Sequence, residues 1–322
     1  MKKRFCIYIG LLTAWVIGQQ VWAQQIPQFT QYRWNELFYN PAYAGSTPDI
    51  QLSTLFRGQW IGIEGRPITF ALGAHTPIPI IGGGAGLVLL NDMLGAERHT
   101  AAYLLYSYKK QLKGNKYLQA GIELGAIQKS LNGTQLTTPE GEYIGGNTNH
   151  NDPALPNATQ SGIGFDLGAG LRYQAKQYAV GIVAKHIAAT PIAAGTANIR
   201  PVPHAIIYAN YRFSISSGID LEPALLVKTD FNQFQPDITL SAYLGKHWLA
   251  AAAIRGIGDW ESAAAIVATN LNPQWRIGYS YDFPLSDLNN ATSGSHELSL
   301  QYRIANKYKT KQGKRTYNPR FL

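Results

Sequence analysis

The 322-residue chain holds a single cysteine, Cys6, and it stands within the first few positions. Residues 1–23 have the make-up of a secretory leader: basic Lys2, Lys3 and Arg4, an apolar stretch over 5–17, and Val21-Trp22-Ala23 as a cleavage site before Gln24. Without that leader the chain has no thiol, which excludes disulfides, thiolate metal sites and cysteine nucleophiles. Long apolar runs are missing too. Beyond the leader, polar or charged residues interrupt every stretch before it reaches the length of a membrane helix. The seven histidines (His75, His99, His150, His186, His204, His247 and His296) never fall at HxH or HExxH spacing. Structural hydrogen bonds are their expected role, with no metal and no cofactor.

Catalytic constellations are equally scarce. Ser295, His296 and Glu297 are consecutive, and strand neighbours point to opposite faces, so they cannot converge as a triad. The glycine-rich run over 82–86 lacks the GK[ST] of a phosphate loop and sits at a strand entrance. A non-enzymatic protein is the expectation.

The net charge of +9 is concentrated at the two ends. Setting aside the leader and the acid-free tail after Asn306, the body carries 19 basic and 19 acidic residues. The basicity therefore marks a tail, over 305–322, and no nucleic-acid groove is expected. That tail is either a solvated end or an electrostatic contact with anionic lipid or an acidic periplasmic partner.

What the chain has in quantity is alternation. Trp275, Ile277, Tyr279, Tyr281 and Phe283 share one face of a strand, and Arg276, Gly278, Ser280 and Asp282 the other. After a polar loop, Leu298, Leu300, Tyr302 and Ile304 alternate with Glu297, Ser299, Gln301 and Arg303. Comparable segments cover 51–60, 68–75, 85–91, 99–109, 117–128, 163–173, 178–186 and 204–213. Others cover 221–228, 237–244, 247–255, 262–270, 274–283 and 296–304, about fourteen in all, an even count. In 163–173 the polar face carries Asp166 and Arg172, and in 117–128 it carries Glu123. Charges facing lipid would be costly, about 2–4 kcal/mol for an arginine near the bilayer midplane and less for a carboxylate, so the polar face points inward. The fold expected is an all-β, transmembrane, antiparallel up-and-down barrel over 50–304.

Loop lengths agree. With both termini periplasmic, the connections after odd-numbered strands are extracellular and should be long. The longest, 129–162, 187–203 and 284–295, follow the fifth, seventh and thirteenth segments. Residues 24–49 carry no alternation, yet Phe29, Tyr32, Trp34, Leu37, Phe38 and Tyr43 are too apolar for a free tail. This segment is expected to pack at or in the lumen, as a plug.

Four stretches carry a family resemblance: QFTQYRWNELFYNPAYAGS (28–46), FRGQWIGIEGRPITFALGAHTP (56–77), LVLLNDMLGAERHT (87–100) and RIGYSYDFPLSDLNNATSGSHELSLQYR (276–303). The chain resembles the PorP/SprF family of outer-membrane proteins of the Bacteroidetes type IX secretion system. The resemblance implies an outer-membrane barrel that helps secrete or anchor cell-surface proteins, including gliding adhesins. It also implies secreted cargo with a C-terminal sorting domain and periplasmic secretion or peptidoglycan-associated components as partners, beside the membrane lipid. Candidate partner-binding residues are Asn40, Pro41, Tyr43, Gly45, Arg57, Gln59, Trp60, Asp92, Tyr281, Asp282, Ser286, Asp287, Gly294 and His296. Asp287 either caps a turn or belongs to a rigid cargo-facing loop. The alternative function is a porin or hydrophobic-compound transporter, which the expected lack of facing Arg and Asp/Glu clusters in the lumen disfavours.

Overall fold

The computed structural model describes residues 26–143, 147–153, 155–195, 197–256 and 260–306. The expected leader over 1–23 and the tail from 307 onward lie outside the described residues.

The wall begins with β1 (Ile50–Gly58), β2 (Ile68–Ile78), β3 (Gly83–Leu94), β4 (Glu97–Gln111) and β5 (Tyr117–Asn132). It continues with β6 (Thr159–Gln174) and β7 (Tyr178–Lys185), then a small inward hairpin of β8 (Ile192–Ala194) and β9 (Ala197–Ile199). β10 (His204–Tyr211) is prolonged by β11 (Phe213–Ser216), followed by β12 (Ile219–Thr229) and β13 (Phe234–Leu244). β14 (Trp248–Arg255), β15 (Ser262–Asn270), β16 (Trp275–Pro284) and β17 (Ser295–Ile304) complete it. Each wall strand pairs antiparallel with its neighbours; β1 pairs with β17, and β10 with β12. Counting β10 and β11 as one interrupted stave, the result is a closed barrel of 14 strands.

The faces are sorted inside out relative to a water-soluble barrel. Leu104 and Phe165 on the outer face are 69% and 67% exposed, whereas Glu123 and Asp166 on the inner face are each 1% exposed. An outer apolar band with a polar interior is the signature of a membrane-spanning barrel. Among the described residues no helix is long and apolar enough to cross a membrane. The strands do the crossing.

Connections 79–82, 112–116, 175–177, 217–218, 245–247 and 271–274 are tight and share one end. The long loops 59–67, 133–158, 186–203 and 285–294 share the other, which marks it as the extracellular rim. Both the start of β1 and the end of β17 lie at the tight-turn end, where Ile50 pairs with Ile304.

The described chain, however, starts at the opposite end. Ile26 lines a cavity with Gln59, Pro284 and Ser286 at the long-loop mouth. By Gly45 the segment has reached the tight-turn end, where a Cβ on that residue would stand 2.6 Å from the Gly84 Cα. Gly45 has φ +66°, so glycine serves there both for the left-handed backbone and for the close approach. The segment thus runs down the inside of the barrel before β1 begins. The two ends of the wall itself, β1 and β17, still lie together at the tight-turn end, as the loop parity expects.

Three short 3-10 turns shape the segment: Tyr32–Trp34, Glu36–Phe38 and Pro41–Tyr43. Asn40 starts the last, its side chain accepting the Ala42 N–H at 2.9 Å, with Pro41 in the first turn position. Phe29 packs on Phe38 and Tyr39 with ring centroids 5.7 and 5.8 Å apart. These rings join inward-facing Val88, Leu105, Ile127, Val183, Ile206 and Leu226 in one buried cluster. The lumen is a core.

Several strands outrun their sequence limits. β3 to β6 extend past the alternating stretches, because at the rim the pairing no longer needs a lipid-facing side: Asp92 to Leu94 pair with Glu97 to His99 beyond the apolar band. The hairpin of β8 and β9 inside the expected loop 187–203 was not foreseen; its strands are too short to show a period. Ile192 there is fully buried over Gly162 and Gly164. The eighth expected strand, 204–213, breaks at Arg212, whose N–H donates to the Gln177 carbonyl at 2.6 Å.

Candidate functional site

The lumen holds three sets of buried charges, and two of them fix the segment over 26–46 to the wall. Nearest the mouth, Arg57 donates to Asp282 at 2.7 Å, to Glu297 at 3.3 Å and to the Thr30 hydroxyl at 2.9 Å. Arg255 lies beside it, with Asp237 at 2.9 Å and Asp282 at 3.2 Å. Glu297 in turn accepts the backbone N–H groups of Thr30 and Gln31, each at 2.8 Å. Gln28 donates to Asp237 at 2.7 Å. Ions taken from water are costly, and such geometry is what offsets the cost.

Deeper in the lumen, Glu36 receives Arg33 at 2.5 Å and Arg172 at 2.9 Å. Glu222 receives Arg33 at 2.7 Å and Arg212 at 3.2 Å. The third set joins wall to wall: Lys185 to Glu123 at 2.6 Å, and Tyr103 and His186 to Asp166 at 2.9 and 2.8 Å. Facing Arg and Asp/Glu clusters are therefore present, against the sequence expectation. They were hidden because their partners are mostly far apart in sequence and come from different elements. In the first two sets they bind the segment.

Above the first ionic set lies a cup of about 450 Å³ that opens toward the long loops. Ile26 to Gln28, Gln59, Trp60, Thr69, Asp92, Glu261, Ser286 and Ser295 contribute to its wall, and Arg57, Arg255 and Asp282 line it below. The first and last loops are tied together beside it: Ile61 donates its N–H to the Gly294 carbonyl at 2.8 Å, and Thr292 donates its hydroxyl to the Ile61 carbonyl at 2.8 Å.

The residues singled out from sequence fall into four places. Asn40, Pro41, Tyr43 and Gly45 lie inside the lumen toward the tight-turn end and bond the wall. The Asn40 amide donates to the Tyr208 hydroxyl at 2.9 Å and the Leu171 carbonyl at 3.2 Å. Tyr43 stacks edge-on to His75 at 5.3 Å, and Gly45 donates to the His75 ring at 3.2 Å. Arg57, Gln59, Trp60, Asp92, Asp282 and Ser286 line the cup. Tyr281 and His296 share the outward face, rings 5.0 Å apart, while Glu297 points into the lumen. Asp287 opens an exposed 3-10 turn, Asp287–Asn290, and Gly294 sits in the loop tie with φ +85°.

Sequence reading missed Thr30, Asp237, Arg255 and Glu261 at this site. The available signal was depth: Arg57, Asp237, Arg255, Asp282 and Glu297 all occupy polar-face positions near the long-loop ends of their strands. Among the described residues no group of three or more His, Cys, Asp or Glu is arranged to hold a metal ion.

Comparison with known proteins supplies the family. No curated protein matches the sequence. Several solved structures are similar to the chain. The monoaromatic hydrocarbon channel CymD is 13% identical, covering 84% of this chain and 93% of that one, with TM-score 0.48. The P. putida toluene transporter TodX is 8% identical, covering 83% and 93%, with TM-score 0.49. Acinetobacter baumannii Omp33 is 7% identical, covering 80% and 98%, with TM-score 0.46. Such scores say nothing of what crosses this barrel. The family model for the type IX secretion system membrane protein PorP/SprF, in contrast, matches residues 21–302. This outer-membrane β-barrel belongs to the PorP/SprF family of type IX secretion system membrane proteins.

Proposed function

We propose that the protein helps secrete or anchor cell-surface proteins, adhesin-type gliding cargo among them, without catalysing a reaction or conducting solutes. The observation that carries this reading is the filled lumen. A pore needs a continuous aqueous path; here Tyr32, Leu37, Phe38, Tyr39 and the charge sets of Arg57 and Arg172 occupy it. In this reading the long-loop mouth, with the cup and the tied loops, receives secreted cargo that carries a C-terminal sorting domain. The tight-turn end faces periplasmic secretion or peptidoglycan-associated components.

A porin or hydrophobic-compound transporter is the second reading. It would require the segment to leave the lumen. Two measurements separate them. The intact protein in planar bilayers is expected to show no steady conductance, and deleting its gene in a strain without paralogues is expected to abolish surface export of its cargo. Steady open channels together with normal export would favour the transporter.

A further inference from the structure

We propose that the mouth cup is a binding site for an arginine or lysine side chain of an extended polypeptide, with the cation held between Asp92 and the indole of Trp60. The inference rests on the reading that the mouth receives a secreted protein, and it names the chemistry recognised there.

Four observations carry it. The first is the space: about 450 Å³ stands open in a lumen otherwise packed with side chains, where the neighbouring void lined by Phe29 and Tyr103 is about 70 Å³. The cup is closed below by the Arg57–Asp282–Arg255 set, so it is a receptacle and not a passage.

The second is charge. The two guanidiniums below are already matched by three carboxylates, Asp237, Asp282 and Glu297. Asp92, on the wall, is held only by the Thr69 hydroxyl at 2.5 Å, with no cation at ion-pair distance among the described residues. Lys129 on the wall nearby is engaged by Glu97, and His99, opposite Asp92 in the ladder, lines the adjoining apolar void. Glu261 accepts only the Gln235 amide at 2.8 Å, and buried Lys228 shares a smaller cavity with it. The uncommitted charge of the cup is negative, and Asp92 is its principal anchor.

The third is Trp60. It is a non-glycine residue with φ +55°, fixed by its N–H donating to the Ser295 hydroxyl at 3.1 Å. Bulky residues rarely hold that conformation, and strain of this kind collects at binding sites. It places the tryptophan on the cup wall, and an indole face attracts an organic cation.

The fourth is the Arg57 Nε, which is buried beneath the cup and lacks an acceptor. A peptide carbonyl accompanying the basic side chain would supply one. No metal site competes, since the described residues offer no three-ligand cluster. Hence the ligand is an organic cation on a chain with backbone acceptors.

The test titrates the intact protein in detergent micelles with acetyl-Ala-Arg-Ala-amide and its lysine, norleucine and glutamate counterparts, by calorimetry. Saturable binding is expected for arginine and lysine, with norleucine and glutamate weaker by about tenfold or more. Asp92→Asn should weaken the arginine peptide by about tenfold or more, Trp60→Leu should weaken it severalfold, and Glu140→Gln, at an exposed position outside the cup, should leave it unchanged. Thermal unfolding of Asp92→Asn at the wild-type temperature shows that the fold is kept. Equal binding of all four peptides, undiminished binding by Asp92→Asn, or no saturable binding overturns the proposal. Export measured in the gene-deletion strain distinguishes the two failures. Lost export with no peptide binding rejects the cup alone, whereas normal export rejects the secretion reading whatever the peptides do.

Discussion

Arg57→Ala is expected to destabilise the folded barrel by about 3–5 kcal/mol, the usual cost of removing one partner from a buried ion pair. Arg57 is 1% exposed and joins two strands to the N-terminal segment through Asp282, Glu297 and Thr30. Its loss leaves Glu297, itself buried, with only the two backbone N–H donors. Asp282 keeps Arg255 and fares better. The double variant Arg57→Ala, Glu297→Gln should therefore recover part of the loss, whereas Arg57→Ala, Asp282→Asn should recover less. Urea unfolding of the protein in lipid vesicles measures all three. Near-neutral behaviour of the single variant would show that the ionic set is not closed.

Deleting residues 28–46 is expected to turn a silent barrel into a conducting one. The deletion removes Phe29, Leu37, Phe38 and Tyr39 from the lumenal cluster, each worth roughly 1.5–3 kcal/mol of burial. It also strips Arg172 and Glu222 of Glu36 and Arg33. What remains is a ring of 14 strands whose own ladder is intact, because no wall strand pairs through the segment. Steady single-channel steps should appear in planar bilayers where the intact protein gives none, together with a lower unfolding midpoint. A deletion variant that stays silent would mean that the wall itself collapses or that another element closes it.

The wall was legible in the sequence because lipid and lumen impose opposite demands on neighbouring residues. A one-residue slip would turn Glu123 and Asp166 toward lipid and bring Ile122 and Phe165 into the lumen, so the faces admit one assignment. The lumenal segment was legible only as a contradiction, a stretch too apolar for water without the period of a strand. Its direction was not, since no local pattern tells whether Phe29 or Tyr43 stands nearer the mouth. The ionic sets were invisible for a related reason: Arg57, Asp237, Arg255, Asp282 and Glu297 are distant in sequence and meet only after the barrel closes. Asp92 and Trp60 were legible through the family motifs that contain them, but the cup between them was not. Tyr281 and His296 face away from the lumen, as the alternation of their strands expects, and so stand apart from the cup.

Hydrogen exchange on the intact protein in lipid nanodiscs tests most directly whether the barrel is closed by its own N-terminal segment. The amides of Thr30 and Gln31 donate to buried Glu297, that of Ala42 to Asn40 and that of Gly45 to His75. Peptides covering 29–45 are expected to exchange roughly a thousandfold or more slowly than an unstructured chain, on the scale of the wall strands. Exchange at the rate of a free peptide, beside protected strands, would contradict the account.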